Sequence, residues 1–208
     1  KLQCGFSFSH TIFPEQLELI FQKRGKTMKN NNLHALCEGA IMVALATALS
    51  YLKLLELPQG GSVCIGMLPL FIYCYRWGWK QSFLACFAYG LLQLIFDGAY
   101  AWGPTSMILD YLLAFSVLFV GTFFRRMKGG LYIGAVVACA ARFLVHFISG
   151  VTVYRIYAPT ELFNTTFTNP WLYSLVYNGS YMLIDLALCA VILLLLQKPM
   201  KKFLVNVG

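Results

Sequence analysis

Charge is what this sequence has least of. Only 12% of its 208 residues are charged, against about 25% in an ordinary soluble domain. With just eight Asp and Glu, the chain is too poor in carboxylates for a di-metal centre. Catalytic and nucleotide motifs are missing as well. No GxxxxGK[ST] run is present to cradle a phosphate, and neither HExxH nor GxSxG occurs. The seven cysteines, Cys4, Cys37, Cys64, Cys74, Cys86, Cys139 and Cys189, form no CxxC and mostly sit inside apolar runs. They read as free thiols acting as small hydrophobes, not as a disulfide framework or a zinc site. Residues 1–27 lack the basic start and apolar stretch of a secretory signal. Asn164 and Asn178 each open a glycosylation-type triplet, a pattern too common to carry weight.

What the chain does have is apolar bulk. Hydrophobic residues make up 59% and aromatic residues 16%, more than one water-soluble core of this length can enclose, so lipid is the solvent that fits. Spanning a bilayer takes about 20 mostly apolar residues. Six stretches are expected to do so: about 36–54, 63–75, 83–96, 105–124, 131–153 and 171–196. The second is short and carries Pro69, which predicts a kink or a partial span. Leu57-Pro58-Gln59-Gly60-Gly61-Ser62 and the polar stretch Arg155 to Pro170 read as loops. No internal repeat is visible. The expected fold is an all-α integral membrane protein with six transmembrane helices.

The net charge is +8, and the basic residues cluster in four places: Lys23-Arg24-Lys26-Lys29, Arg76-Lys80, Arg125-Arg126-Lys128 and Lys198-Lys201-Lys202. Each flanks an apolar run, and they alternate through six helices, so both termini are expected on the cytoplasmic side. A nucleic-acid binder would instead gather its basic residues on one solvated face, so no nucleic acid is expected as a partner.

With that topology, polar residues converge on the outer side, where intramembrane polar groups mark a cavity or a partner. The fourth helix brings Asp110 and Tyr111. The fifth brings His146, Ser149 and Gly150, and the sixth brings Tyr173, Ser174, Tyr177 and Asn178. The third ends in Gln93 and Asp97, followed by Tyr100 and Trp102. A carboxylate, an imidazole, an amide and aromatic faces suit a small, flat, polar or cationic ligand. Taken singly, each is also what an interfacial belt or a helix contact would use. Deeper in the fifth and sixth helices, Arg142 and Asp185 are expected to form a structural ion pair. On the first helix, Ala40, Ala44 and Ala48 form a smooth strip against which another helix can pack.

Several blocks together resemble a known family. They are Leu57-Pro58-Gln59-Gly60-Gly61-Ser62-Val63, Met67-Leu68-Pro69, Tyr89-Gly90-Leu91-Leu92-Gln93, and Leu109-Asp110-Tyr111-Leu112-Leu113-Ala114-Phe115. Arg142-Phe143-Leu144-Val145-His146-Phe147-Ile148-Ser149-Gly150 and Tyr173-Ser174-Leu175-Val176-Tyr177-Asn178-Gly179-Ser180-Tyr181 complete the set. In order and spacing they resemble the thiamine-specific S-component family of energy-coupling factor transporters. The resemblance runs from about Asn32 to Leu196. It implies a membrane domain over residues 32–198, preceded by an N-terminal extension (1–31) and followed by a basic cytoplasmic tail (199–208). The purine-rich codons available to Lys23-Arg24-Gly25-Lys26 suggest a ribosome-binding site, with Met28 as the true start.

The resemblance also implies a function. The chain would be a non-enzymatic, cofactor-free subunit in the bacterial plasma membrane that captures thiamine near its outer face. Its first-helix strip would dock on a membrane coupling protein that carries two ATPase subunits. By the same resemblance Asp110, Tyr111, His146, Tyr173 and Asn178 contact the vitamin, with Gly150, Tyr89, Tyr100 and Tyr154 at neighbouring positions. Some members of the family carry Glu where this chain has Asp110. The alternatives are an S-component for another vitamin or a thiamine precursor, a stand-alone carrier, and an intramembrane enzyme using His146 and Asp110. The carrier would need coupling-ion sites or inverted repeats, and the enzyme a nucleophile or metal; the sequence shows neither.

Overall fold

The computed structural model describes residues 12–57, 61–97, 103–157, 160–162 and 165–204, with side chains described for 31–57, 61–97, 103–152 and 166–204. Six helices dominate: α1 (Ile12–Ser50), α2 (Leu68–Arg76), α3 (Trp79–Asp97), α4 (Pro104–Phe124), α5 (Gly130–Tyr157) and α6 (Pro170–Gln197). The protein is thus an all-α integral membrane protein. Asn31–Ser50 of α1, α4, Gly130–Thr152 of α5 and all of α6 are long and apolar enough to cross a bilayer, with mean hydropathies of 1.6, 2.0, 2.0 and 2.3.

The second expected span is where structure and sequence reading part most. Residues 63–75 are not one helix. Leu55–Glu56 (β1) and Ser62–Val63 (β2) form a small antiparallel hairpin, with Leu55 opposite Val63. Only the nine residues Leu68–Arg76 are helical, too few for the roughly 30 Å hydrocarbon core at 1.5 Å per residue. Nearly every side chain of α2 is buried, because a helix apolar all round must be enclosed by its neighbours. Pro69 lies in its first turn, where its missing N–H costs nothing.

The expected loop between the fifth and sixth spans is also more ordered than its polarity suggests. Helix α5 continues to Tyr157. Thr160–Leu162 (β3) and Thr165–Phe167 (β4) then pair antiparallel. The start of α6 is set by local chemistry: the Asn169 side chain accepts from the Trp171 N–H at 2.9 Å, and Pro170 occupies the first turn.

Two chain units are distinguishable, residues 1–37 and 38–208. Within the second, α5 packs against both α4 and α6. Its crossing with α4 depends on small residues. A Cβ on Gly121 would lie 2.7 Å from the Gly134 carbonyl oxygen, so the backbones approach as closely as glycine permits. At one end of α2 the buried Arg76 donates to both Glu38 oxygens, at 2.5 and 3.0 Å, and also to the Phe203 carbonyl. The described cysteines are free thiols. Cys74 and Cys86 are buried 3.8 Å apart between α2 and α3.

Candidate functional site

Helix α4 is irregular where it carries its carboxylate. Residues Met107–Leu113 are π-helical, and the Ala114 N–H reaches back to Leu109. Such widened turns recur at functional sites because they redirect one side chain from the regular helical register. Asp110 sits in this segment, one turn after Ser106. Its Oδ2 accepts from Ser106 Oγ at 2.6 Å and from Ser149 Oγ at 2.8 Å. Its Oδ1 lies 3.0 Å from His146 Nδ1.

The direction of that last bond follows from the far side of the ring. Arg142 lies one turn before His146 on α5, and its Nε donates to His146 Nε2 at 3.2 Å. A guanidinium has no lone pair to offer, so Nε2 must accept. The ring proton therefore sits on Nδ1 and is donated to Asp110. Arg142, His146 and Asp110 form a directed chain in which the imidazole is neutral. The same guanidinium also donates to Met67 Sδ and lies 4.4 Å from the centre of the Phe115 ring.

Asn178 closes the set from α6. Its Nδ2 donates to the His146 carbonyl at 3.2 Å and to Ser174 at 3.1 Å, while its Oδ1 accepts from Tyr181 OH at 3.2 Å. Ser174 Oγ donates to the Phe147 carbonyl at 2.7 Å. The approach of α5 and α6 requires Gly150, where a Cβ would stand 2.4 Å from Ser174 Oγ. Asp110, His146, Gly150 and Asn178 thus come together from three helices.

The remaining expected site residues fall around this centre. Tyr173 is buried and stacks on Tyr177 at 5.7 Å in an apolar cluster with Leu57, Val63, Tyr181 and Met182. Tyr111 OH donates to the Asp97 carbonyl at 2.6 Å, tying α4 to the end of α3. Tyr89 is buried edge-on against Phe115 at 4.8 Å, one ring away from Arg142. Gln93 and Asp97 turn elsewhere: Gln93 donates to Ser50 Oγ, and Asp97 accepts from Lys53. Tyr100, Trp102 and the Tyr154 side chain lie outside the described residues.

One expectation is overturned. Arg142 and Asp185 do not form an ion pair. Arg142 is engaged by His146, Met67 and Phe115, whereas the buried Asp185 accepts from the Cys64 backbone N–H at 2.9 Å. Together with the Gly61 N–H donating to Tyr177 OH at 2.8 Å, this bond clamps the chain around β2 onto α6. Ser106 and Tyr181 were missed in the sequence. Helical spacing alone would have found Ser106, four residues before Asp110, and Arg142, four before His146.

This architecture can be set beside known proteins. The family model described as "Thiamine transporter protein" matches residues 36–205. The chain belongs to that family. A thiamine transporter ThiT of Bacillus subtilis (strain 168) is 33% identical over 183 residues, covering 81% of this chain and 92% of the relative. A second ThiT, from Lacticaseibacillus paracasei, is 28% identical over 180 residues, covering 79% and 87%. A solved structure of ThiT from Listeria monocytogenes superposes with a TM-score of 0.73 at 25% identity, covering 84% of this chain and 99% of that one. The chain is accordingly a multi-pass bacterial membrane protein.

Proposed function

We propose that this chain captures thiamine at the Asp110–His146–Asn178 centre as the S-component of an energy-coupling factor importer. The observation that carries the reading is the environment of Asp110. Its carboxylate accepts three hydrogen bonds, from two serines and a neutral imidazole. Among the described residues, no lysine or arginine pairs with it directly. A negative charge so placed within the membrane favours a cationic guest, and the thiazolium ring of thiamine is one. Asn178, Ser174 and the Tyr181 hydroxyl supply the hydrogen-bonding edge for an aminopyrimidine. Tyr173 and Tyr177 supply flat ring faces. The family membership and the named relatives support thiamine over other small cations.

No chemistry is assigned to the chain; ATP hydrolysis falls to two partner ATPases acting through a membrane coupling protein. Ala40, Ala44 and Ala48 are all exposed on α1, which supports this strip as the docking face. The basic clusters support both termini on the cytoplasmic side, with the pocket opening outward. The test is titration of purified protein with thiamine, read by quenching of intrinsic fluorescence and by calorimetry. Saturable one-to-one binding, absent for riboflavin or biotin, is expected. Failure to bind thiamine in a well-folded preparation would overturn the reading.

A further inference from the structure

Away from the polar centre, the seam between α5 and α6 carries a groove of about 190 Å³. Tyr132, Ala135 and Val136 line it from α5, and Leu186, Ala187 and Ala190 line it from α6. The alanines create it: where longer side chains would fill the seam between two antiparallel helices, three methyl groups leave it open. The walls are almost wholly apolar, and both helices are membrane-spanning by length and hydropathy. Tyr132 OH donates to Gln197 Oε1 at 2.9 Å at the end of the seam.

Beyond that hydrogen bond the character of the surface changes abruptly. Arg126 and Lys128 precede α5, and Lys198, Lys201 and Lys202 follow α6; all five are exposed. No Asp or Glu occurs between Tyr111 and Thr160, or anywhere after Asp185. Among the described residues, none of the five cations takes part in an ion pair. An open apolar seam in the hydrocarbon layer is therefore flanked, at the start of α5 and the end of α6, by exposed cations that make no ion pair among the described residues. Basic residues at the mouth of a cleft between transmembrane helices bind anionic lipid head groups.

We propose that this groove is a binding site for one anionic phospholipid, an acyl chain lying along Ala135, Ala187 and Ala190 and the phosphate head group held by the lysines. The charge pattern selects the occupant. A neighbouring protein helix would cover the alanines without drawing on five cations, and a zwitterionic lipid would fill the groove without neutralising them. The site is independent of the thiamine centre, which lies towards the opposite ends of the same helices.

Native mass spectrometry of the protein released from mixed nanodiscs of phosphatidylglycerol and phosphatidylcholine tests this. The wild type is expected to retain one phosphatidylglycerol, preferred over phosphatidylcholine by about tenfold for a cluster of several lysines. Replacing Lys128, Lys198, Lys201 and Lys202 with Gln should abolish the preference. Filling the groove with Ala187→Phe or Ala190→Leu should remove the retained lipid of either kind. The thermal melting of each variant reports whether it is folded, and the lysine variants, which touch only exposed positions, keep the test decisive if groove filling impairs folding. Equal retention of the two lipids by the wild type would overturn the head-group assignment. Undiminished phosphatidylglycerol in folded groove-filled variants, or a dimer with no bound lipid, would overturn the site itself.

Discussion

Asp110 and Ala44 both lie on membrane-spanning helices, yet their surroundings have nothing in common. Asp110 is tied to Ser106, Ser149 and His146, and through His146 to Arg142. Ala44 stands exposed on a strip with Ala40 and Ala48. On the proposed function, the contrast follows from what each region would recognise. A small polar ligand must be met by oriented donors and acceptors, and these are held in place only when each is bonded to another. A partner helix in lipid is met by surface relief alone, since apolar burial supplies little drive there. One region is specified by its bonds and the other by its lack of protruding atoms. Substitutions in each should therefore fail in different assays.

The largest loss of thiamine affinity is expected from Asp110→Asn. It removes the charge and replaces one acceptor oxygen with a donor amide facing existing donors. Hydrogen bonds to a charged group are worth about 1.5–3 kcal/mol, so calorimetry should show a loss of roughly 100-fold. A neutral-ring analogue should lose less, and equal losses for both ligands would show that Asp110 is not the counter-ion. Arg142→Met comes next. Asp110 still holds the ring proton on Nδ1, but Nε2 loses its donor, and affinity should fall about tenfold, in line with one hydrogen bond of about 1.4 kcal/mol. Nitrogen NMR of His146 should show the Nε2 signal shift as it loses its donor while the proton stays on Nδ1; an unchanged Nε2 signal would refute the directed chain.

Asp185 should matter to stability more than to ligand. Asp185→Leu strands the half-buried Cys64 N–H and should cost about 1–3 kcal/mol, seen as a lower melting temperature. Asp185→Asn keeps an acceptor oxygen there and should cost less. Exchanging the charges of Arg142 and Asp185 should rescue neither single variant, because the two side chains meet different partners. Recovery of stability in the exchanged protein would mean the pair forms after all. The smallest effect on ligand is expected at Ala44. With its neighbours exposed, Ala44→Trp should leave thiamine affinity unchanged while abolishing assembly with the coupling protein in co-purification. Loss of binding would place α1 in the pocket and erase the comparison, and normal assembly would remove the strip as a docking face.

Most of the membrane architecture was legible in the sequence, since hydropathy and length act locally. Spans 105–124, 131–153 and 171–196 agree with α4, α5 and α6 to within a few residues over their apolar stretches. The hairpin before α2 was not legible. Val63 to Tyr75 is apolar enough to suggest one element, and only pairing with Leu55–Glu56 and the bonds to Tyr177 and Asp185 divide it. At the site, Asp110, His146, Gly150 and Asn178 stood out because polar groups and close approaches are costly to place in lipid without a reason. Their convergence from three helices was visible once the spans alternated in direction.

What the sequence by itself determined is therefore everything that depends on transfer into lipid: which segments are helical and buried in the bilayer, and which polar residues require partners there. Which partners they take was decided only by tertiary structure. Arg142 and Asp185 carry opposite charges on adjacent helices, and sequence distance favours pairing them. Yet a guanidinium reaches one turn along its own helix to His146, and a carboxylate can be satisfied by the Cys64 backbone N–H just after β2. Hydrogen bonds of similar strength compete over a few ångströms, and helix rotation and the π-helical turn at Asp110 settle the competition. Neither quantity is encoded in hydropathy or spacing.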